Sequence, residues 1–319
     1  MNSPEAIGVD LGGTKMLLGV LDSSSKVVWE SRERSTGQSE EELVELLVRE
    51  IAEARAAHGG VEAIGLGMPA TVDHEKGLAI SAVNLPIEDL PIRDLAVDRI
   101  GLPVFVDNDA NVAALAEHLY GAARGTQNAV MLTLGTGIGG GLILGGEIYR
   151  GATGAGAELG HMVIEIDGPL CQGNCPSRGC IETFASGTAI GREGRAAAER
   201  EPDSALGKML ANGADVDGRA VTEAALGGDA TAIGVFDLVG MRLGVALASF
   251  ANIFEPEVIV IGGGVIAAGD LLLEPARREL QARALAPMNR TPVVAAELGE
   301  DAGMIGAAAM ARIELERSG

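Results

Sequence analysis

Ile7-Gly8-Val9-Asp10-Leu11-Gly12-Gly13-Thr14-Lys15-Met16-Leu17-Leu18-Gly19-Val20-Leu21 reads as a strand, a glycine turn and a returning strand. The turn holds two adjacent glycines, a hydroxyl at Thr14 and a cation at Lys15, with Asp10 at the end of the first strand. Backbone N–H groups in such a turn can converge on one anion, and a carboxylate in the position of Asp10 can hold magnesium, usually through water. A plain hairpin turn would use the same residues, so this stretch alone leaves both readings open.

Residues 27–30 add a third strand. Ser39-Glu40-Glu41-Glu42 is a capping box, and Leu43, Leu46, Leu47, Ile51 and Ala54 follow at helical spacing. Residues 63–67 form a buried strand that Pro69 ends. Val104-Phe105-Val106-Asp107-Asn108-Asp109 runs from a strand into a helix over residues 110–120, stopped by Gly121. Strands resume at 129–134, and Pro256-Glu257-Val258-Ile259-Val260-Ile261 is another buried strand. Residues 270–285 and 303–316 read as helices. A β-rich hairpin followed by helix–strand alternation, and then the same order again, indicates a duplicated α/β unit.

Two further glycine turns punctuate this order. Leu134-Gly135-Thr136-Gly137-Ile138-Gly139-Gly140-Gly141 places five glycines in the seven residues from 135 to 141. That composition is costly in folding entropy; a ligand contact explains it, and so does a flexible turn. Gly262-Gly263-Gly264 follows a buried strand and precedes a helical stretch, where nucleotides often lie. None of the three turns is a Gly-x4-Gly-Lys-Ser/Thr loop.

Asn108-Asp109, at a strand end before a helix, reads on its own first as an N-cap, with an oriented general base as the functional alternative. His161, Cys171, Cys175 and Cys180 lie within 20 residues and include every cysteine of the chain. One imidazole and three thiolates complete a tetrahedral zinc site with no open position, whereas a disulfide framework is not expected.

Bulk properties bound the function. A chain of 319 residues is long enough for two lobes, and 47% hydrophobic with 22% charged residues is globular rather than disordered. The net charge of −21 argues against nucleic acid and anionic membranes as partners. Residues 1–5 are short and polar, so no leader is expected, and the charge-free run 125–146 is broken by glycines rather than continuous enough to span a bilayer. A reducing cytoplasm is the expected location.

Taken together, Asp10-x-Gly-Gly-Thr-Lys15, Gly67-Met68-Pro69, Asn108-Asp109-Ala110-Asn111, Leu134-Gly-Thr-Gly137, Glu158-Leu-Gly-His161, the cysteine cluster and Gly262-Gly-Gly264 resemble the ROK family of bacterial sugar kinases, within the hexokinase–actin superfamily. The resemblance runs from Ile7 to Ala311. It implies an α/β, two-lobe duplicated ribonuclease-H-like (actin/hexokinase-type) fold with a central cleft in which ATP and sugar meet. The lobes expected are residues 1–108 with 301–319, the small N-terminal lobe, and residues 109–300, the large lobe carrying the zinc loop.

The activity so implied is transfer of a phosphoryl group from ATP to the 6-hydroxyl of a hexose. Glucose is expected, because Cys175-Pro-Ser-Arg-Gly-Cys180-Ile-Glu182 is similar to the glucokinase branch of the family. N-acetylmannosamine, N-acetylglucosamine and fructose are the alternative acceptors, and polyphosphate is an alternative donor. By the same resemblance Asp109 is the catalytic base, and Gly67, Asn84, Asn108, Asp109, Glu158, His161 and Glu182 bind the sugar. Asp10, Gly12, Gly13, Thr14, Lys15, Gly135, Thr136, Gly137, Gly262, Gly263 and Gly264 are the expected ATP site, with Mg2+. His161, Cys171, Cys175 and Cys180 are the expected ligands of a structural Zn2+. The family pattern has Cys-x-Cys where this chain has the longer Cys171-Gln-Gly-Asn-Cys175. Expected partners are glucose or a related hexose and further copies of the chain, as a homodimer or homotetramer, with no nucleic acid and no membrane. Relatives that act as sugar-responsive regulators carry a helix-turn-helix before the first phosphate loop; here the first strand begins by residue 6 or 7, so a regulator is not expected.

Overall fold

The computed structural model describes residues 4–35, 39–82 and 85–318. The strands and helices follow in the order β1 (Glu5–Leu11), β2 (Lys15–Leu21), β3 (Val27–Arg34), α1 (Glu40–Ala57), β4 (Val61–Met68), β5 (Ala70–Asp73), β6 (Leu78–Ala82), β7 (Glu88–Leu90), α2 (Ile92–Ile100), β8 (Val104–Asn108) and α3 (Asp109–Tyr120). Next come β9 (Ala129–Leu134), β10 (Ile138–Leu144), β11 (Glu147–Ile148), α4 (Glu182–Ala185), α5 (Gly187–Arg200), α6 (Ala205–Ala211), α7 (Gly218–Leu226) and α8 (Ala230–Phe254). The chain ends with β12 (Val258–Gly262), α9 (Asp270–Arg283), β13 (Val293–Ala295) and α10 (Ala302–Ser318).

Five strands form a sheet in the order β3-β2-β1-β4-β8, and five more form a sheet in the order β11-β10-β9-β12-β13. Each sheet thus reads third, second, first, fourth, fifth strand, which is the expected duplication. In the first, β1 pairs antiparallel with β2 and parallel with β4. In the second, β12 runs parallel to both β9 and β13. A small sheet of β5, β6 and β7, which no motif announced, follows Pro69.

The chain packs as two compact units. The first comprises Met1–Gly125, Gly141–Ala157 and Glu297–Gly319; the second comprises Thr126–Gly140 and Glu158–Ala296. The first therefore takes in α3, residues 141–157 and residues 297–300, which the sequence reading put in the larger lobe. The reason is packing: Val112 and Leu115 of α3 are buried with Ala307 and Met310 of α10. A side chain at Gly141 would come within 2.5 Å of Ala114 Cβ.

In the first unit the pleat sorts residues between two helical layers. Ile7 and Val9 of β1, with Ile64 and Leu66 of β4, join the buried face of α1, including Leu43, Leu46, Leu47 and Ile51. Ser39 starts that helix with the predicted capping box. Ala6 and Ala63 turn the other way, onto Ala308 and Ala311 of α10. Gly8 and Gly65 are paired in register on that second face. A Cβ at Gly65 would stand 1.8 Å from the Ala307 carbonyl oxygen, so only glycine lets the helix lie this close. Replacing Gly65 by alanine forces α10 off the sheet and is expected to lower unfolding free energy by about 3 kcal/mol. A denaturant midpoint unchanged from the parent would show that α10 does not pack there.

In the second unit α8 is the longest helix, 25 residues, and is apolar enough to cross a membrane by length and composition. Its glycines set it against α9 instead: Cβ atoms at Gly240 and Gly244 would each lie 2.5 Å from a carbonyl oxygen of that helix, Leu272 and Ala276 respectively. With Phe236, Leu243, Leu247 and Phe250 buried, α8 serves as a core helix.

Candidate active site

In the first unit, three candidate segments meet at the ends of parallel strands. Asp10 pairs in register with Gly67, and Gly67 with Asp107. Met68 pairs with Asn108, so Asp109 opens α3 one residue beyond the sheet. Gly67 is pressed against this turn: a Cβ there would sit 2.5 Å from Val112 Cγ2 and 3.7 Å from Asp109 Cα.

In Asn108-Asp109 the N-cap is the first of the two residues. Asn108 is the cap, its Oδ1 accepting from the N–H groups of Ala110 at 2.9 Å and Asn111 at 3.3 Å. Its Nδ2 donates to the Ala70 carbonyl at 3.3 Å. Asp109 is thereby relieved of the capping duty, although its Oδ1 also accepts from Ala110 N–H at 2.9 Å. Asp107 is buried and its carboxylate is committed: it accepts from Asn108 N–H at 2.8 Å, Asn111 Nδ2 at 2.9 Å and Arg150 Nε at 2.6 Å. This brace holds the strand-to-helix turn from behind. Sequence reasoning missed Arg150, which carries no local signal.

Burial lifts the Asp10 carboxyl to about 7; the neighbouring Asp109 carboxylate adds to the rise and Lys15 opposes it. A cation beside Asp10 would reverse that cost. Gly303, in the first turn of α10, leaves room for this carboxyl, since a Cβ would fall 2.6 Å from Asp10 Oδ2. In the β1–β2 turn the Gly12 N–H closes on the Lys15 carbonyl at 2.8 Å, and Ser35 Oγ donates to the Gly12 carbonyl at 2.6 Å. Lys15 Nζ reaches Glu300 at 2.8 Å. Gly13 and Thr14 stand between these fixed points.

In the second unit the β9–β10 turn is pinned to the start of α5. Gly187 N–H donates to the Gly135 carbonyl at 2.7 Å and Thr188 Oγ1 to the Thr136 carbonyl at 2.8 Å. Gly262 pairs in register with Thr133, which brings the Gly262-Gly263-Gly264 turn beside it. Gly263, at φ +82, lies so near β9 that a Cβ would meet Leu134 O at 2.5 Å. Gly135, Thr136, Gly264 and Val265 line a cavity of about 810 Å3, walled on its far side by Gly187, Gly191, Val216 and Gly218 of the α5–α7 region. Those last residues were not singled out from sequence. Their one local signal is a pair of N-caps each followed by glycine, Ser186-Gly187 and Asp217-Gly218.

His161, Cys171, Cys175 and Cys180 come together, with all four ligand atoms within 4.8 Å of one another. His161 Nδ1 is 3.4 Å from Cys171 Sγ, and Cys175 Sγ is 3.9 Å from Cys180 Sγ. Tetrahedral zinc, about 2.3 Å from sulfur and about 2.0 Å from nitrogen, sets such edges at about 3.5–3.8 Å, so the donors fit the ion. Burial pushes the Cys171 thiol up, with Cys180 and Cys175 reinforcing, a crowding that a divalent cation would relieve. The longer spacing is absorbed by a tight turn, with Gly173 at φ +59 and Cys175 N–H donating to the Gln172 carbonyl at 3.4 Å.

His161 Nε2 points the other way, 3.9 Å from Glu158. Burial raises the Glu158 carboxyl, His161 opposes and Glu182 adds to the rise. Glu182 is itself buried and accepts from Ile138 N–H at 2.8 Å. Asn84 lies outside the described residues.

The paired sheets are those of the actin/hexokinase-like architecture. The sequence model of the ROK family matches residues 6–314, and the chain belongs to that family. It is 38% identical over 309 residues to a glucokinase of Thermotoga maritima, covering 95% of this chain and 96% of the relative. It is 36% identical over 314 residues to a glucokinase of Streptomyces coelicolor, covering 96% and 97%. A crystal structure of a ROK family glucokinase from Streptomyces griseus in complex with glucose and AMPPNP superposes with a TM-score of 0.85 at 36% identity, covering 97% of this chain and 99% of that one.

Proposed function

We propose that the protein is an ATP-dependent glucokinase, transferring the γ-phosphoryl group of ATP to the 6-hydroxyl of glucose. The observation that carries this reading is the match over 97% of the chain to a glucokinase crystallised with glucose and AMPPNP. Asp109 accepts the proton of the attacking hydroxyl. The oxygen–phosphorus bond forms as the bond to ADP breaks, and the work left to the protein is positioning and charge compensation. Gly67, Asn84, Asn108, Glu158, His161 and Glu182 hold the sugar. Carboxylates such as Glu158 accept from vicinal hydroxyls, and losing such a pairing discriminates strongly between sugars.

Gly12, Gly13, Thr14 and Lys15 contact the nucleotide phosphates, as do Gly135, Thr136 and Gly137. Gly262, Gly263 and Gly264 border the nucleotide, whose adenosine occupies the cavity beside them. Val216, Val265 and Leu226 on that cavity wall suit a flat apolar base. Asp10 would hold magnesium, which neutralises phosphate charge when bound. His161, Cys171, Cys175 and Cys180 would hold a zinc ion in a closed, structural site. The family resemblance adds a cytoplasmic location and a homodimer or homotetramer to the same reading.

The test is ADP release with ATP and magnesium across glucose, fructose, mannose, N-acetylglucosamine, N-acetylmannosamine and no sugar. Glucose is expected to give the highest kcat/KM. Preference for an N-acetyl sugar would move the acceptor and keep the chemistry, whereas release independent of any sugar would overturn the kinase reading.

A further inference from the structure

The cysteine loop does more than close around its own ligands. Gln172, next to Cys171, donates from Nε2 to the Thr136 carbonyl at 3.4 Å. Glu182, two residues beyond Cys180, accepts from Ile138 N–H at 2.8 Å, and its other oxygen is 3.7 Å from Cys171 Sγ. Gly160, next to His161, packs so closely on the same turn that a Cβ would stand 2.1 Å from the Ile138 carbonyl oxygen. Three of the four ligands thus have a near neighbour seated on the Gly135-Thr136-Gly137-Ile138 turn. Gln172 lies in the longer Cys171–Cys175 spacing, so that contact comes from the stretch where this chain departs from the family pattern.

We infer that the His161/Cys171/Cys175/Cys180 cluster braces the β9–β10 turn through Gln172 and Glu182, so that metal occupancy sets the affinity for nucleotide as well as the shape of the sugar side. The inference rests on the readings above, that this turn meets nucleotide phosphates and that the cluster holds zinc. A turn so rich in glycine has little conformational preference of its own. Each anchor it loses adds ordering entropy to the cost of binding. The anchors from Gly187 and Thr188 do not pass through the cysteines, so loss of metal weakens the turn without abolishing it. Glu182 supplies the strongest of the dependent contacts, a buried charge-assisted hydrogen bond. Gln172 supplies a neutral one and is a positioning residue with no part in the sugar set.

The experiment measures zinc content first. Binding of ADP with magnesium, without sugar, is then titrated calorimetrically on metal-loaded protein, on protein stripped with a chelator that is afterwards removed, and on stripped protein returned to zinc. Stripping is expected to raise the ADP Kd about tenfold or more, and zinc to restore it. Gln172→Ala, still carrying one zinc, is expected to raise the ADP Kd about threefold while the glucose Kd stays at its parent value. That split is one a merely structural defect would not produce. If stripped protein unfolds, Gln172→Ala and Glu182→Gln in the zinc-loaded state decide the matter. Equal ADP affinity in stripped and loaded folded protein, or in both loaded variants and the parent, overturns this inference alone. A protein that takes up no zinc overturns the metal reading and this inference with it, and loaded protein that binds no ADP does the same for the nucleotide reading.

Discussion

Asp109→Asn is expected to lower kcat by roughly 10²–10⁴-fold, the range that a positioned general base supplies, while the glucose Kd stays within a few-fold of the parent value. The fold should survive, because Asn108 and not Asp109 caps α3. An asparagine amide oxygen can still accept from Ala110 N–H as Asp109 Oδ1 does. Asp107 cannot take over: its carboxylate already accepts from Asn108, Asn111 and Arg150. Asp10 cannot account for the loss either. The Asp109 carboxylate raises the Asp10 carboxyl, so its removal favours the ionised Asp10 that magnesium needs. The measurement is kcat under saturating glucose and ATP, paired with a glucose titration and a thermal midpoint. A variant that turns over near the parent rate, or one that has lost glucose binding in step with activity, would sink the assignment of Asp109 as base.

Much of this site was legible because its signals are local. The glycine turns at Gly12 and Gly135, the capping box at Ser39 and the stop at Gly121 each state a conformation within a few residues. The cysteine cluster was equally plain, since four ligand-type side chains in one short stretch have little other use. What escaped is non-local. The seat of α10 depends on Gly8 and Gly65 meeting carbonyls of Met304 and Ala307, nearly the whole chain away, and an isolated glycine in a strand does not say what approaches it. The same holds for the brace on Asp107: the Arg150 guanidinium that joins Asn108 and Asn111 on this carboxylate comes from 43 residues away. The wall of the cavity sets glycines of α5 and α7 (Gly187, Gly191 and Gly218) among Arg192, Arg195, Arg219 and Leu226. Its shape comes from the way two helix starts pack on each other, with Gly218 against the Gly187 carbonyl.

Cys180→Ser should abolish zinc binding and release the backbone between His161 and Glu182, a local cost on the order of 10 kcal/mol if the site behaves as small zinc modules do. Beyond its contacts with the β9–β10 turn through Gln172, Glu182 and Gly160, this stretch has little else to hold it. Val163, Ile166 and Leu170 are exposed rather than packed, and its ordered backbone consists of two isolated bridges, Val163 with Cys180 and Leu170 with Arg178. Gly179, at φ +67, belongs to both bridges, its N–H donating to the Pro169 carbonyl and its carbonyl accepting from Ile164 N–H. Each of these contacts brackets the cluster, so each depends on the ligands staying together. Cys180 is the deepest of the four, fully buried, and serine in its place offers a poor metal ligand in a site where the other two thiols then lack a cation. Hydrogen exchange reads the result by segment: amides of residues 161–181 should exchange orders of magnitude faster, while β1 and β4 keep their protection because their core of Ile7, Val9, Ile64 and Leu66 is closed by α1. Chelation of the parent protein should reproduce that pattern and zinc should reverse it. Unchanged protection of residues 161–181 after the metal is removed would mean that backbone bonds alone suffice, and would strip the ion of its structural role.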